Sequence, residues 1–112
     1  MYNNDEIMEF VSIVAEIANP ERIILFGSYA YGYPDENSDV DLLVIKNDKE
    51  LTRDEHAELG VKVFDKRRQR KLKMRADVFY RTDRQVRELT EDGSALIDAL
   101  QRGRVVYERS SQ

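Results

Sequence analysis

"ILFGSYAYGYPDENSDVDLLVI", from Ile24 to Ile45, sets two short apolar runs around a loop that holds two glycines, two serines and four carboxylates. The first run, Arg22 to Phe26, is β-branched and apolar and stops at Gly27, the pattern of a largely buried strand that ends in a turn. The second run, Asp39 to Ile45, reads as a strand that opens on two acids. Side chains alternate along a strand, so Asp39 and Asp41 point to one face while Val40 and Leu42 point to the other. Their α-carbons then lie about 6.6 to 6.8 Å apart. Like charges so close raise each other's pKa and destabilise the sheet unless a cation offsets them. Mg²⁺ takes oxygen ligands and commonly uses one or two carboxylates together with substrate phosphates, so the pair suits that ion. For an Asp-x-Asp taken alone, the competing reading is a solvated strand end where water screens both charges.

Gly27-Ser28 adds a second feature. Glycine allows a tight strand-to-helix turn, and a helix start presents unpaired backbone N–H groups to an anion. Ser28 to Tyr31 is long enough to open a short helix before Gly32, and Pro34-Asp35-Glu36-Asn37 is loop material. A strand, a Gly-Ser turn, a loop and a strand opening on paired acids would set a phosphate cradle beside a metal site. The segment lacks the Gly-Lys-Ser/Thr of a P-loop and the G-x-G-x-x-G of a dinucleotide site.

Upstream, Ile7, Phe10, Val11, Val14 and Ile17 follow the spacing of one helical face, with Asn3 or Asn4 as cap and Pro20 just past the end. Downstream, Thr52 to about Arg70 reads as a helix with Glu55 as the capping-box partner of Thr52, and with Leu59, Val63 and Phe64 toward the core. Arg75 to Tyr80 reads as a third strand, and Thr82 or Asp83 caps a helix carrying Val86 and Leu89. Gly93 and Ser94 interrupt that helix and restart another with Leu96, Ile97 and Leu100. Gly103 ends it, and Arg104 to Tyr107 makes a terminal strand. The order is that of a small mixed α/β (α+β) domain whose sheet is covered by helices mainly on one face.

At 112 residues the chain has the length of one domain, 1–112, with a single core. A composition of 41% hydrophobic and 36% charged residues is that of a globular protein richer in charge than average. The absence of cysteine excludes disulfides, thiolate zinc sites and cysteine nucleophiles. No apolar run approaches a membrane span and no basic region precedes the N-terminal apolar positions, so the expected location is cytoplasmic, with no membrane partner. Lys62 to Arg75 holds eight basic residues against Asp65, a local charge of +7 in a chain whose net charge is -4, which leaves -11 for the remainder. Runs of this kind most often mark a solvated helix face; the alternatives are a docking surface for an acidic protein or, less favoured, for a nucleic acid. His56, with no second histidine, sits among polar residues and reads as a surface group. Tyr29, Tyr31 and Tyr33 read as core or partner contacts, with stacking on a base as the alternative.

Gly27-Ser28, ten intervening residues and Asp39-Val40-Asp41 resemble the GS-x10-D-x-D signature of the polymerase-β-like nucleotidyltransferases. With "LFGS", Gly32, "SDVDLLV" and the tail "ALQRGRVVYER", the chain is similar to the minimal nucleotidyltransferase (MNT) branch over nearly its whole length. The resemblance implies the polymerase-β-like nucleotidyltransferase fold and a third carboxylate from a later strand, which Asp77 supplies. It implies that Gly27 and Ser28 hold the terminal phosphates of ATP, that Asp39 and Asp41 bind Mg²⁺, and that Asp77 shares a second ion and helps deprotonate an acceptor hydroxyl. By the same resemblance the partner is a HEPN-domain toxin, and the chain is an antitoxin that transfers AMP to a tyrosine of that toxin. Many relatives carry a basic residue where this chain has Tyr31, one that helps hold phosphate; here the grip is weaker or supplied from elsewhere. Two other functions fit less well: a binding module that neutralises a toxin by occupancy, and a transferase acting on a small molecule, whose enzymes usually add a domain to close the pocket.

Overall fold

The computed structural model of the chain describes residues 1–47, 49–89 and 95–109. Helix α1, Asn4–Ala18, begins where the sequence places its cap: the Asn3 side chain accepts a hydrogen bond from the Glu6 N–H at 2.8 Å, and the Glu6 carboxylate accepts one from the Asn3 N–H at 3.0 Å. Such caps contribute about 1 kcal/mol each. The helix ends at Asn19, in the left-handed conformation (φ 49°), ahead of Pro20. Its buried face comprises Ile7, Phe10, Val11, Ile13 and Val14, whereas Ile17 is only partly covered.

Four strands follow: β1 (Arg22–Phe26), β2 (Val40–Lys46), β3 (Ala76–Thr82) and β4 (Arg104–Glu108). They form one mixed sheet in the order β3-β2-β1-β4. β1 runs antiparallel to β2 and to β4, while β2 and β3 are parallel. A parallel pair needs a crossover connection, and α3, Arg53–Gln69, provides it. Thr52 and Glu55 form the expected capping box at its start. The parallel register sets Asp41 opposite Asp77, and the antiparallel register sets Asp41 opposite Phe26 at the end of β1.

Two apolar clusters flank the sheet. Val40, Leu42 and Val44 of β2, with Ile23 and Leu25 of β1, face α1 and α3. Leu43, Ile45, Ile24 and Phe26 face the other way, toward Val86 of α4 (Asp83–Glu88) and Leu96 and Ala99 of α5 (Ala95–Arg102). The two long helices thus share one face and the short ones cover part of the other. Asp41 and Asp77, by alternation, lie on the α4/α5 face, beyond the end of the smaller cluster.

Several boundaries differ from the sequence reading. β2 starts at Val40, so Asp39 precedes the strand; β3 starts at Ala76 and continues to Thr82, whose side chain also caps α4. Phe64 is 53% exposed and does not face the core, because Val63 (7%) and Leu59 take the inward side of α3. The expected break at Gly93 and Ser94 lies outside the described residues. No helix among the described residues is long and apolar enough to cross a membrane.

Candidate active site

Gly27 closes β1 with φ +75°, in the left-handed half of backbone space that side chains disfavour, and starts the one-turn helix α2, Ser28–Tyr31. A Cβ on Gly27 would collide with the carboxylate of Asp41, so only glycine lets the turn lie against that acid. The Ala30 and Tyr31 N–H groups donate to the Gly27 carbonyl at 3.0 and 3.2 Å. The Ser28 and Tyr29 N–H groups precede these bonds, at the open end of the turn.

Asp41 is part-buried, and its carboxyl is pushed up from the usual 3.8 to about 6, first by burial, then by the charge of Asp77 and then by that of Asp39. The three acids therefore share one electrostatic field centred on Asp41. They are not equivalent. Asp77 is exposed on β3, and Asp39 is held by Arg75, whose Nε lies 3.3 Å from its carboxylate. Arg75 also donates to the Glu36 carbonyl at 3.0 Å, and its own N–H donates to the Tyr2 hydroxyl at 3.0 Å. Tyr2 in turn stacks on Tyr29 with ring centroids 5.9 Å apart, and its N–H donates to the Tyr29 hydroxyl at 3.1 Å. This chain of contacts ties the loop before β2 to α2, and nothing in the local sequence pattern pointed to Arg75 or Tyr2.

The tyrosines separate. Tyr29 packs with the α1/α3 cluster, Tyr31 with the α4/α5 cluster, and Tyr33 is fully exposed. Above the Tyr31 ring stands the guanidinium of Arg102, 4.2 Å from the centroid. His56 is exposed, as expected, with its ring edge-on to Tyr80.

Among the described residues, no group of three or more His, Cys, Asp or Glu side chains is gathered closely enough to hold a metal ion by itself. The donor set nevertheless suits a hard cation. Asp41 and Asp77 are neighbours on one sheet face, and the charge of Asp77 adds to burial in raising the pKa of Asp41, a cost that a cation would offset. One or two carboxylates plus phosphate oxygens are a common environment for Mg²⁺.

Concavity and chemistry lie at opposite ends of the sheet. A cleft of about 380 Å³ is lined by Asn47, Lys49, Thr82, Asp83 and Arg84 among others, at the C-terminal ends of β2 and β3. Arg84 there is already engaged by Glu50 at 3.3 Å and Glu88 at 3.9 Å. Electrostatics favour the N-terminal ends, where three carboxylates adjoin a glycine turn on an open surface.

Comparison with known proteins bears on the family and the fold. A family model described as "Nucleotidyltransferase domain" matches residues 7–106. No curated protein matches the chain. A solved structure described as "Crystal structure of the toxin-antitoxin with AMP-PNP" is similar in fold, with a TM-score of 0.59 and 22% sequence identity, over 91% of this chain and 73% of that one.

Proposed function

Because the chain belongs to the nucleotidyltransferase domain family, we propose that it transfers AMP from ATP to a hydroxyl group, with a tyrosine of a partner toxin as acceptor and Mg²⁺ as cofactor. The observation that carries this reading is the seating of Asp41 against Gly27 and opposite Asp77, which puts a perturbed carboxylate between a backbone turn and a second acid. The antitoxin role and a toxin of the HEPN class follow the family resemblance, and the toxin-antitoxin structure with AMP-PNP supports the toxin-antitoxin setting by likeness of fold.

The roles follow from the chemistry of each group. The N–H groups at Gly27-Ser28 donate to phosphate oxygens. Asp41 and Asp77, joined by Asp39 when Arg75 releases it, would hold Mg²⁺, which when bound neutralises phosphate charge. The acceptor oxygen forms a bond to the α-phosphorus, the bond from that phosphorus to the bridging oxygen breaks, and pyrophosphate leaves. The hydroxyl proton passes to the Asp77 carboxylate, which is exposed and within reach of an incoming chain.

We assign the partner to the outward face of α3. Val61 (60% exposed) and Phe64 (53% exposed) lie one turn apart beside Gly60, around which space is open. The basic stretch adjoins them. Part of its charge is used internally: Arg70 pairs with Glu16, Lys62 with Glu58, and Arg67 lies over the Phe10 ring. Burial of Leu72 and Met74 turns Lys71 and Lys73 outward, and Arg68 is exposed as well.

The test is label transfer from α-labelled ATP, in Mg²⁺, to the product of the neighbouring gene. Transfer by the wild type, with at least a hundredfold loss in Asp41→Asn and in Asp77→Asn, is the expected result. Equal transfer by both variants would remove the catalytic assignment. A second reading, neutralisation by binding alone, draws on the ion pair that occupies Asp39; it predicts that an Asp39/Asp41/Asp77 triple-alanine variant still silences the toxin.

A further inference from the structure

We infer that Arg102 contacts the phosphate chain of the bound nucleotide and that Tyr31 is the positioning residue that presents it; this rests on the nucleotidyltransferase reading above. The acidic end of the sheet poses a problem for any polyphosphate ligand. Asp39, Asp41 and Asp77 repel it, and Arg75, the cation nearest them in the ion-pair network, is committed to Asp39. A further cation on the same rim would relieve that repulsion.

Arg102 is fixed on this rim by the backbone around it. It is the last residue of α5, and Gly103 follows at a point where a Cβ would press on the Ala99 carbonyl and the Ile24 side chain and would lie 3.0 Å from the Leu25 carbonyl. β4 then starts with Arg104 paired to Leu25. The chain at residues 102–104 is therefore locked to β1 within two residues of Gly27. Tyr31 is anchored to the same place from the other side, its N–H bonded to the Gly27 carbonyl. Ring and guanidinium meet at 4.2 Å.

The form of the contact matters. A guanidinium seated 4.2 Å over a ring centroid is covered on that side and keeps N–H donors available on the others. Arg102 is exposed, and among the described residues no carboxylate pairs with it, in contrast to Arg75, Arg84 and Arg109. A charged group kept near one place by its ring contact, with unused donors, has less freedom to lose on binding an oxyanion than a free surface arginine. The usual alternative, a surface arginine resting on an aromatic ring for packing alone, predicts no effect on ligands.

Calorimetric titration with AMP-PNP and with adenosine, both in Mg²⁺, separates the two. Arg102→Ala should weaken AMP-PNP binding about tenfold, the size expected for one charge-assisted hydrogen bond, and leave adenosine unchanged. Tyr31→Phe should match the wild type, whereas Tyr31→Ala should lose part of the AMP-PNP affinity while Arg102 is still present. Arg102→Lys, which keeps charge without the planar fork, should fall between wild type and alanine. AMP-PNP affinity equal in wild type and Arg102→Ala overturns this assignment and leaves the proposed function standing; so does an equal loss for adenosine. A wild type that binds no AMP-PNP overturns both. Should Arg102→Ala fail to fold, Arg102→Lys and Tyr31→Ala decide by the same criteria.

Discussion

Asp41 is costly to the fold at the place where the proposed reaction needs it. In the metal-free protein its carboxyl titrates near 6 in the folded state against 3.8 ordinarily. The folded state therefore binds more protons at this site than the unfolded state between those values, so the stability this group contributes is fully present below pH 4, falls as the pH rises toward 6, and is lost beyond. Asp41→Asn removes the charge at nearly constant shape and should stabilise the metal-free protein at pH 7. The group is partly solvated, which cuts the gain to about 1 kcal/mol, or about 4 °C in Tm. Thermal melts in chelator from pH 3.5 to 8 should show the variant above wild type at pH 7 and the two converging near pH 4. A constant gap across that range would mean that the carboxyl is not perturbed. The paired acids were legible in the sequence because alternation along a strand is local. That Asp41 carries a raised pKa was not, since it depends on burial and on Asp77 from β3.

At the scale of elements, α3 is the informative case. The sequence placed its cap and its length, and Thr52 and Glu55 form the expected reciprocal bonds. It erred on Phe64, because the helix is polar on most of its surface and buries little beyond Val63, so periodicity gave a weak sense of which side faces inward. Phe64 and the neighbouring Val61 are the exposed apolar pair to which the proposed partner is assigned. Phe64→Asp should weaken binding of the partner toxin at least tenfold and leave AMP-PNP affinity unchanged, as read by titration of each ligand separately. A toxin complex of undiminished affinity would move the interface elsewhere. β2 and β3 show the converse: both strands were found from composition, but their parallel pairing, which brings Asp77 to Asp41, follows from the α3 crossover.

For the molecule as a whole, charge is divided between regions. The stretch from Lys62 to Arg75 carries +7 while the rest carries -11, and the acidic site lies at the end of β3 that this stretch leads into. Arg75, the last basic residue, joins the two by holding Asp39. A partner meeting the exposed Arg68, Lys71 and Lys73 through acidic groups should associate about tenfold more slowly at 300 mM than at 50 mM salt, because screening shortens the reach of these charges. A stopped-flow association rate independent of salt would assign the basic residues to internal pairing alone.

The sequence by itself determined the strand, glycine turn and acidic strand, the capped helices on either side, and the nucleotidyltransferase family to which that pattern belongs. These follow from interactions between residues a few positions apart, where backbone geometry dictates which side chains share a face. Only the tertiary structure decided which acids act on one another, that Arg75 restrains Asp39, and that Arg102 reaches Tyr31. Each of these joins groups remote in the chain through the order β3-β2-β1-β4, and their strength depends on distance and burial, which no local pattern encodes.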